Sequence, residues 1–96
     1  MDKNIINLEF DKSISVLAGN EYGYEEYKKQ LKEKFKVEKI NVIVFPNNIQ
    51  KVAISFVQGM FRDILNDINK EELEKYIEIK SSYDELTQKI ISNIKF

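Results

Sequence analysis

Residues 40–68 read INVIVFPNNIQKVAISFVQGMFRDILNDI, and this stretch decides the fold. It opens with apolar, mostly β-branched side chains up to Phe45, a composition typical of a strand that is buried on both faces. Pro46 lacks a backbone N–H and ends the strand, and the two asparagines after it are turn formers that can cap a helix. The change of period from Lys51 onward then predicts a long amphipathic helix.

An apolar stripe follows the helical part of this stretch. Its members recur at steps of three and four residues: Ala53, Phe56, Val57, Met60, Phe61, Ile64, Leu65 and Ile68. A strand, a turn and an amphipathic helix in this order form half of a βαβ unit. We expect the core of the protein to hold Ile43, Phe45, Phe56, Val57, Met60, Phe61, Ile64, Ile77, Leu86, Ile90 and Ile94.

The N-terminal part predicts two strands and a first helix. Residues 5–10 and 14–17 are apolar segments joined by a polar turn, and we expect them to form a β-hairpin. Residues 18–23 read AGNEYG, a composition typical of a loop. The helix that follows begins at Tyr24 and carries one narrow apolar face, made of Tyr24, Tyr27, Leu31 and Phe35.

The C-terminal part predicts one more strand and one more helix. After a polar connection at residues 69–75, a short strand contains Tyr76, Ile77 and Ile79. Ser81 or Ser82 can cap the last helix, and Glu85, three residues after Ser82, fits a capping box. The buried stripe of that helix contains Tyr83, Leu86, Ile90, Ile91 and Ile94.

The order of elements is therefore ββαβαβα, within a single domain that spans residues 1–96. Strands that alternate with helices favour parallel pairing through right-handed crossovers, and we expect the first strand to add an antiparallel edge. The predicted fold class is α/β (α+β), a small four-stranded mixed sheet with three helices.

The composition excludes several classes of function. A formal net charge of −1 argues against a dedicated nucleic-acid-binding protein, which usually carries a basic excess. The chain has no cysteine and no histidine, which removes the commonest transition-metal ligands and the commonest general base. We therefore expect no enzyme activity, no catalytic residues, no metal and no cofactor.

The sequence carries neither a signal-peptide pattern nor an apolar run long enough to cross a membrane. We therefore expect a cytoplasmic protein without membrane contact, present as a monomer or a weak homodimer. The richness in Asn, Lys and Ile is typical of an AT-rich genome, bacterial or phage.

Residues 52–56 read VAISF, between the buried strand and the apolar helix. This arrangement resembles the STAS-like domain family of unknown function found in bacteria and phages, in which a motif of the type I-S-S-S-F stands at that place. The upstream segment ISVLAGNEYGYEEYKKQL also resembles the strand, glycine-containing turn and first helix of the family. The resemblance covers residues 14–94 and implies a single STAS-like domain.

The resemblance implies regulation by protein binding. STAS domains such as anti-sigma-factor antagonists dock on a partner kinase of the histidine-kinase-like ATPase fold. The partner meets the start of the central helix, where phosphorylation of a Ser or Thr breaks the complex. This chain departs from that pattern, because Ile54 stands at the phosphorylated position and Ala53 replaces the Asp before it. With Ser55 alone remaining, we expect a docking surface without the usual phosphorylation switch.

The outward side of the central helix is the predicted partner-binding surface. Its residues follow one another at three- and four-residue steps and carry little charge, which fits an interface. The glycine inside the helix costs about 1 kcal/mol relative to alanine, which predicts close approach by another element of this chain or of a partner. The predicted surface contains Asn48, Lys51, Ser55, Gln58, Gly59 and Arg62. Two simpler interpretations stand beside it: Ser55 as a small residue at a tight helix–sheet contact, and Asn48 as a helix cap.

Two functions fit these observations. The first is a non-enzymatic protein-binding regulatory module of STAS type. The alternative is a small phage or mobile-element protein that inhibits a host system by occupying a protein surface. Gene neighbourhood would separate them, because an adjacent ATPase favours the first and a phage early operon favours the second.

Overall fold

The computed structural model describes residues 2–96, and these residues confirm the α/β class. The elements follow the chain as β1 (Lys3–Asn7), β2 (Val16–Leu17), α1 (Asn20–Glu26), a π-helical turn (Tyr27–Leu31), β3 (Ile40–Val44), β4 (Lys51–Val52), α2 (Ile54–Asp67), a 3-10 helix (Lys70–Lys75), β5 (Ile77–Lys80) and α3 (Asp84–Lys95). The sequence did not predict β4, nor the 3-10 helix, which lies in the predicted polar connection.

The strands form two small sheets, and both are parallel. The larger sheet has the order β1-β3-β5, and the smaller sheet pairs β2 with β4. The predicted hairpin and the predicted antiparallel edge are therefore wrong, and so is the single four-stranded mixed sheet. The reason is that β1 and β2 each pair with a strand that follows α1 in the chain. In the turn between β1 and β2, Asp11 accepts hydrogen bonds from the backbone N–H and the hydroxyl of Ser13, and this turn leads the chain away to the smaller sheet.

The core lies between the helices and one face of the larger sheet. Buried and open positions alternate along β1, where Ile6 is buried while Ile5 is exposed, whereas the central strand β3 is buried on both faces from Asn41 to Ile43. The side chains that face the helices are Ile6, Leu8, Ile43, Phe45, Ile77 and Ile79. Every residue that the sequence predicted for the core is buried, which confirms that list.

The central helix begins three residues later than predicted, because the chain stays extended through β4. The Lys51 N–H donates to the Ser15 carbonyl at 3.2 Å, and the Ala53 N–H donates to the Leu17 carbonyl at 2.8 Å. Ala53, and neither asparagine, therefore occupies the N-cap of α2. The side-chain amide of Asn48 donates instead to two carbonyls of the preceding loop, those of Asp11 and Ile14.

The first helix begins four residues earlier than predicted. Gly19 adopts a φ of 104°, a left-handed conformation that favours glycine, and α1 starts directly after it. Gly23 therefore lies inside the helix and not in a loop. On the predicted apolar face Tyr27 and Leu31 are buried, while Tyr24 and Phe35 are half-buried.

The last strand and helix differ from the prediction at their starts. The strand β5 begins at Ile77, directly after Tyr76. Tyr83 occupies the N-cap of α3 and is 45% exposed, so it does not belong to the buried stripe. The predicted capping box is wrong, because the nearby serine that bonds the backbone is Ser81, whose hydroxyl donates to the Tyr83 carbonyl. Ile91 is half-buried, whereas the remaining apolar positions of this stripe are buried.

Candidate partner-binding surface

The flank of α2 that faces α1 is a close contact between two helix backbones. A Cβ atom added to Gly59 would overlap the carbonyl oxygen of Asn20, and one added to Gly23 would overlap the carbonyl oxygen of Phe56. Each helix therefore contributes one glycine to the crossing. The close approach predicted from Gly59 is confirmed, and the helix that approaches is α1 of the same chain.

Ser55 belongs to the same flank. Its hydroxyl oxygen accepts a hydrogen bond at 3.0 Å from the backbone N–H of Gly19, the residue that begins α1. The side chain is half-buried and fixes the start of α1 against α2. The simpler interpretation of Ser55 as a small residue at a tight contact fits this geometry, although its neighbour is a helix and not the sheet.

The outward flank of α2 carries the exposed members of the predicted surface. Gln58 is exposed, and the side chain of Arg62 is 52% exposed. Half-buried Ile54 and Leu65 lie on the same line, at steps of three and four residues, and add apolar area to it. Ile54 is thus the first helical residue of this flank.

Aromatic rings hold Arg62 in place. Its guanidinium carbon lies 3.9 Å from the centre of the Tyr24 ring, a cation–π geometry. The Tyr24 hydroxyl donates to Asp63 at 3.1 Å, and the Asp63 carboxylate lies 3.7 Å from Arg62. The Tyr24 ring stacks in turn on Tyr27. The Arg62 cation is therefore ordered before any partner arrives.

The phenol of Tyr27 is neutral in this arrangement. Burial raises the pKa of Tyr27 above its usual value, and the nearby carboxylate of Asp63 raises it further. The Tyr27 ring therefore adds no charge of its own to the layer that it forms with Tyr24 and Arg62.

A groove lies at the start of α2, between β4 and the start of α3. Its volume is about 460 Å³, and it is lined by Val16, Gln50, Lys51, Val52, Ala53, Tyr83, Glu85, Leu86 and Lys89. The Tyr83 hydroxyl donates to the Gln50 carbonyl at 2.5 Å and ties the start of α3 to β4. Val16 and Tyr83 are large apolar side chains that remain about half exposed. No pattern in the sequence predicted this groove, because β4 is two residues long and Tyr83 follows the spacing of the buried stripe.

The structure divides the predicted surface into two groups. Lys51, Gln58 and Arg62 are exposed, and Lys51 also lines the groove. Ser55, Gly59 and Asn48 are engaged inside the chain, the first two by α1 and the third by the loop before β2. The polar groups or backbones of these last three residues therefore already have partners within the chain.

Neither a metal site nor a membrane span is present in the part of the chain that the structure describes. Within residues 2–96 acidic side chains form no cluster of three or more that could hold a metal ion. Over the same residues, no helix has the length and apolar character needed to cross a bilayer.

Comparisons with protein-family models, with curated proteins and with solved structures find no match to this chain. The candidate surface therefore depends on geometry alone.

Proposed function

We propose that this chain is a non-enzymatic regulatory module that resembles STAS domains and binds a partner protein through the start and the outward flank of α2. The observation that carries the proposal is the continuity of two features. The lining of the groove includes Ala53, the N-cap of α2, and the next residue, Ile54, begins the line that continues to Gln58 and Arg62, so apolar and polar contact groups adjoin along the chain.

The chemistry of this surface is that of a protein interface. Tyr and Arg are enriched among the residues that contribute most to binding, and both are present here with restricted motion. Tyr83 is tied to β4 by its hydroxyl, and Arg62 is held on the Tyr24 ring. Because an ordered side chain loses less entropy on binding, these two are the expected anchors.

The surface also favours a partner with acidic groups. Lys51 and Lys89 stand on the walls of the groove, with Glu85 as the acidic lining residue, and Arg62 lies further along α2. We expect the partner to place an apolar side chain in the groove and carboxylates near these cations. The resemblance points to a protein of the histidine-kinase-like ATPase fold, while a phage inhibitor of a host protein would use the same surface.

Affinity capture from a lysate of the native host tests this proposal. The bait proteins are the wild type, the double variant Gln58→Glu with Arg62→Glu, and the control Lys32→Glu with Gln88→Glu. The control makes the same change in charge at exposed positions outside the groove lining. Quantitative mass spectrometry should find a protein that the wild type and the control retain and the double variant loses.

The identity of that protein then separates the two functions, since an ATPase favours the regulator and an unrelated host enzyme favours the inhibitor. Equal retention by all three baits, with unchanged circular dichroism spectra, would contradict the proposal.

A further inference from the structure

The outer edge of β1 carries unpaired backbone groups. The Leu8 N–H donates to the Val44 carbonyl at 2.9 Å, so the even-numbered residues of this segment bond β3. Because successive residues of a strand direct their polar groups to opposite sides, Lys3, Ile5 and Asn7 direct theirs away from the sheet. Within residues 2–96 no hydrogen bond of the chain reaches the backbone at these three outward positions.

At Glu9, two residues after the end of β1, the outward backbone groups of the same edge already have hydrogen-bond partners. The side-chain amide of Gln30 accepts from the Glu9 N–H at 2.7 Å and donates to the Glu9 carbonyl at 2.9 Å. This is the pairing that a neighbouring strand would make. The edge is therefore open over Lys3–Asn7 and closed after it, which limits the length of strand that it can accept.

An exposed apolar side chain marks the centre of the open edge. Ile5 is 63% exposed and lies opposite Val42, on the face of the larger sheet that turns away from the helices. Val42 is 3% exposed, and on the same face the Lys3 ammonium reaches across β3 to Glu78, at 2.9 Å. This ion pair covers the middle of the face and leaves Ile5 open at its border.

We propose that β1 pairs in antiparallel fashion with β1 of a second copy of this chain, about a two-fold axis at Ile5. In that register Ile5 lies opposite Ile5 of the second copy, and Lys3 lies opposite Asn7 of the second copy. The pairing joins all the outward N–H and C=O groups of the open edge and makes one continuous sheet across the dimer.

The charges of the edge fit this arrangement. Like charges directly opposite each other destabilise a strand pair, but here each Lys3 faces a neutral Asn7. The diagonal neighbour of Lys3 on the same face is Glu9 of the second copy, which is exposed and adds no like charge to this site. The Lys3 ammonium itself pairs with Glu78 of its own chain and so brings no unpaired cation to the axis.

The dimer is weak and depends on concentration. The area that one pair of five-residue strands buries is smaller than the roughly 1,200–2,000 Å² that stable interfaces bury. Sedimentation equilibrium over a wide range of protein concentration is therefore the direct measurement for the wild type.

Disulfide trapping tests the register. The chain has no cysteine, so an introduced one is unique. Across the two-fold axis the Cα atoms of a hydrogen-bonded pair are about 5.5 Å apart, within the usual span of a disulfide. Ile5→Cys should form a covalent dimer at least 10-fold faster than the control Val37→Cys, which is 56% exposed and lies outside the sheets. A mixture of Lys3→Cys and Asn7→Cys should cross-link, while each of these variants alone should not.

Introducing a charge at the axis gives a second readout, which does not depend on a covalent bond. Ile5→Lys and Ile5→Glu should each raise the dimer dissociation constant at least 10-fold, and mixing the two should restore a heterodimer. Ile5 is exposed, so both variants should keep the circular dichroism spectrum of the wild type. A wild type that stays monomeric, with Ile5→Cys no faster than Val37→Cys, would overturn the proposal and leave the edge open for a strand of another protein. A dimer that survives Ile5→Lys would also overturn it.

Discussion

The two flanks of α2 carry similar small and polar residues, yet their environments are opposite. Ser55 and Gly59 lie against α1, whereas Gln58 and Arg62, on the adjacent line of the same helix, are exposed. The difference comes from α1, which crosses α2 at a distance that only glycine allows. Small residues at helical spacing mark a contact between helices, and longer polar residues beside them mark the free surface. Substitutions on the flank that faces α1 should therefore lower the stability of the fold, whereas substitutions on the outward flank should weaken partner binding.

The largest effect is expected for Phe56→Ala, on the flank that faces α1. Phe56 is fully buried, and its ring packs edge-on at 5.2 Å from Tyr22 and 6.2 Å from Phe10. Lost burial and the cavity should lower the free energy of unfolding by roughly 3–5 kcal/mol, a large share of the stability of a small domain. A urea melt with an unchanged midpoint would show that this flank does not carry the core.

The next effect is expected for Gly59→Ala, compared with Gln58→Ala at the neighbouring position. Alanine favours a helix by up to about 1 kcal/mol, but its Cβ would overlap the Asn20 carbonyl and force α1 away. We expect a net loss of about 2 kcal/mol for Gly59→Ala, within the range for overpacked sites. Gln58→Ala should change the free energy of unfolding by less than about 0.5 kcal/mol. Chemical denaturation checks both, and a stabilised Gly59→Ala would mean that the helices are not in contact there.

A smaller effect is expected for Ser55→Ala. The substitution removes the acceptor of the Gly19 N–H and should cost about 1 kcal/mol. Ser92→Ala, at an exposed position of α3, is the matched control and should be close to neutral. Equal stability of the two variants in a thermal melt would show that the Ser55 hydrogen bond does not fix α1.

No phosphorylation switch of the usual STAS type is expected at Ser55. The resemblance to STAS domains implies that Ile54 and Ala53 stand where that switch has its own residues, and the Ser55 hydroxyl oxygen already bonds the start of α1. Incubation with a cognate kinase and ATP, followed by intact mass spectrometry, should leave the mass unchanged. Stoichiometric phosphate on Ser55 would restore the standard mechanism.

Local patterns predicted the core and the class of the fold. The buried positions of a strand recur about every second residue and those of a helix every three to four residues, so both can be recognised within a short segment. Phe45 and Phe56 are examples, and both are buried as expected. Pairing between distant segments could not be predicted in the same way. The strand β4 has two residues and depends on hydrogen bonds to Ser15 and Leu17, more than 30 residues earlier. The hairpin prediction failed for the same reason, since β1 pairs with a strand that follows α1.

The binding role of the candidate surface stays a prediction, while the exposure of part of it follows from local spacing. Helical spacing correctly indicated that Gln58 and Arg62 are exposed on α2, whereas Lys51, also exposed, lies in β4 and not on the helix. The signal from Gly59 correctly indicated a close approach, but sequence alone did not reveal that α1 is the neighbour. The groove depends on the contact between Tyr83 and Gln50, which are far apart in the chain and carry no shared pattern.

Calorimetric titration of the captured partner protein tests most directly whether the outward flank of α2 binds it. The Gln58→Glu, Arg62→Glu variant should keep its fold, because both positions are exposed. It should bind the partner at least 10-fold more weakly than the wild type, about 1.4 kcal/mol, while the control Lys32→Glu, Gln88→Glu should bind with an unchanged dissociation constant. Equal dissociation constants for all three proteins, with identical circular dichroism spectra, would contradict binding at this flank.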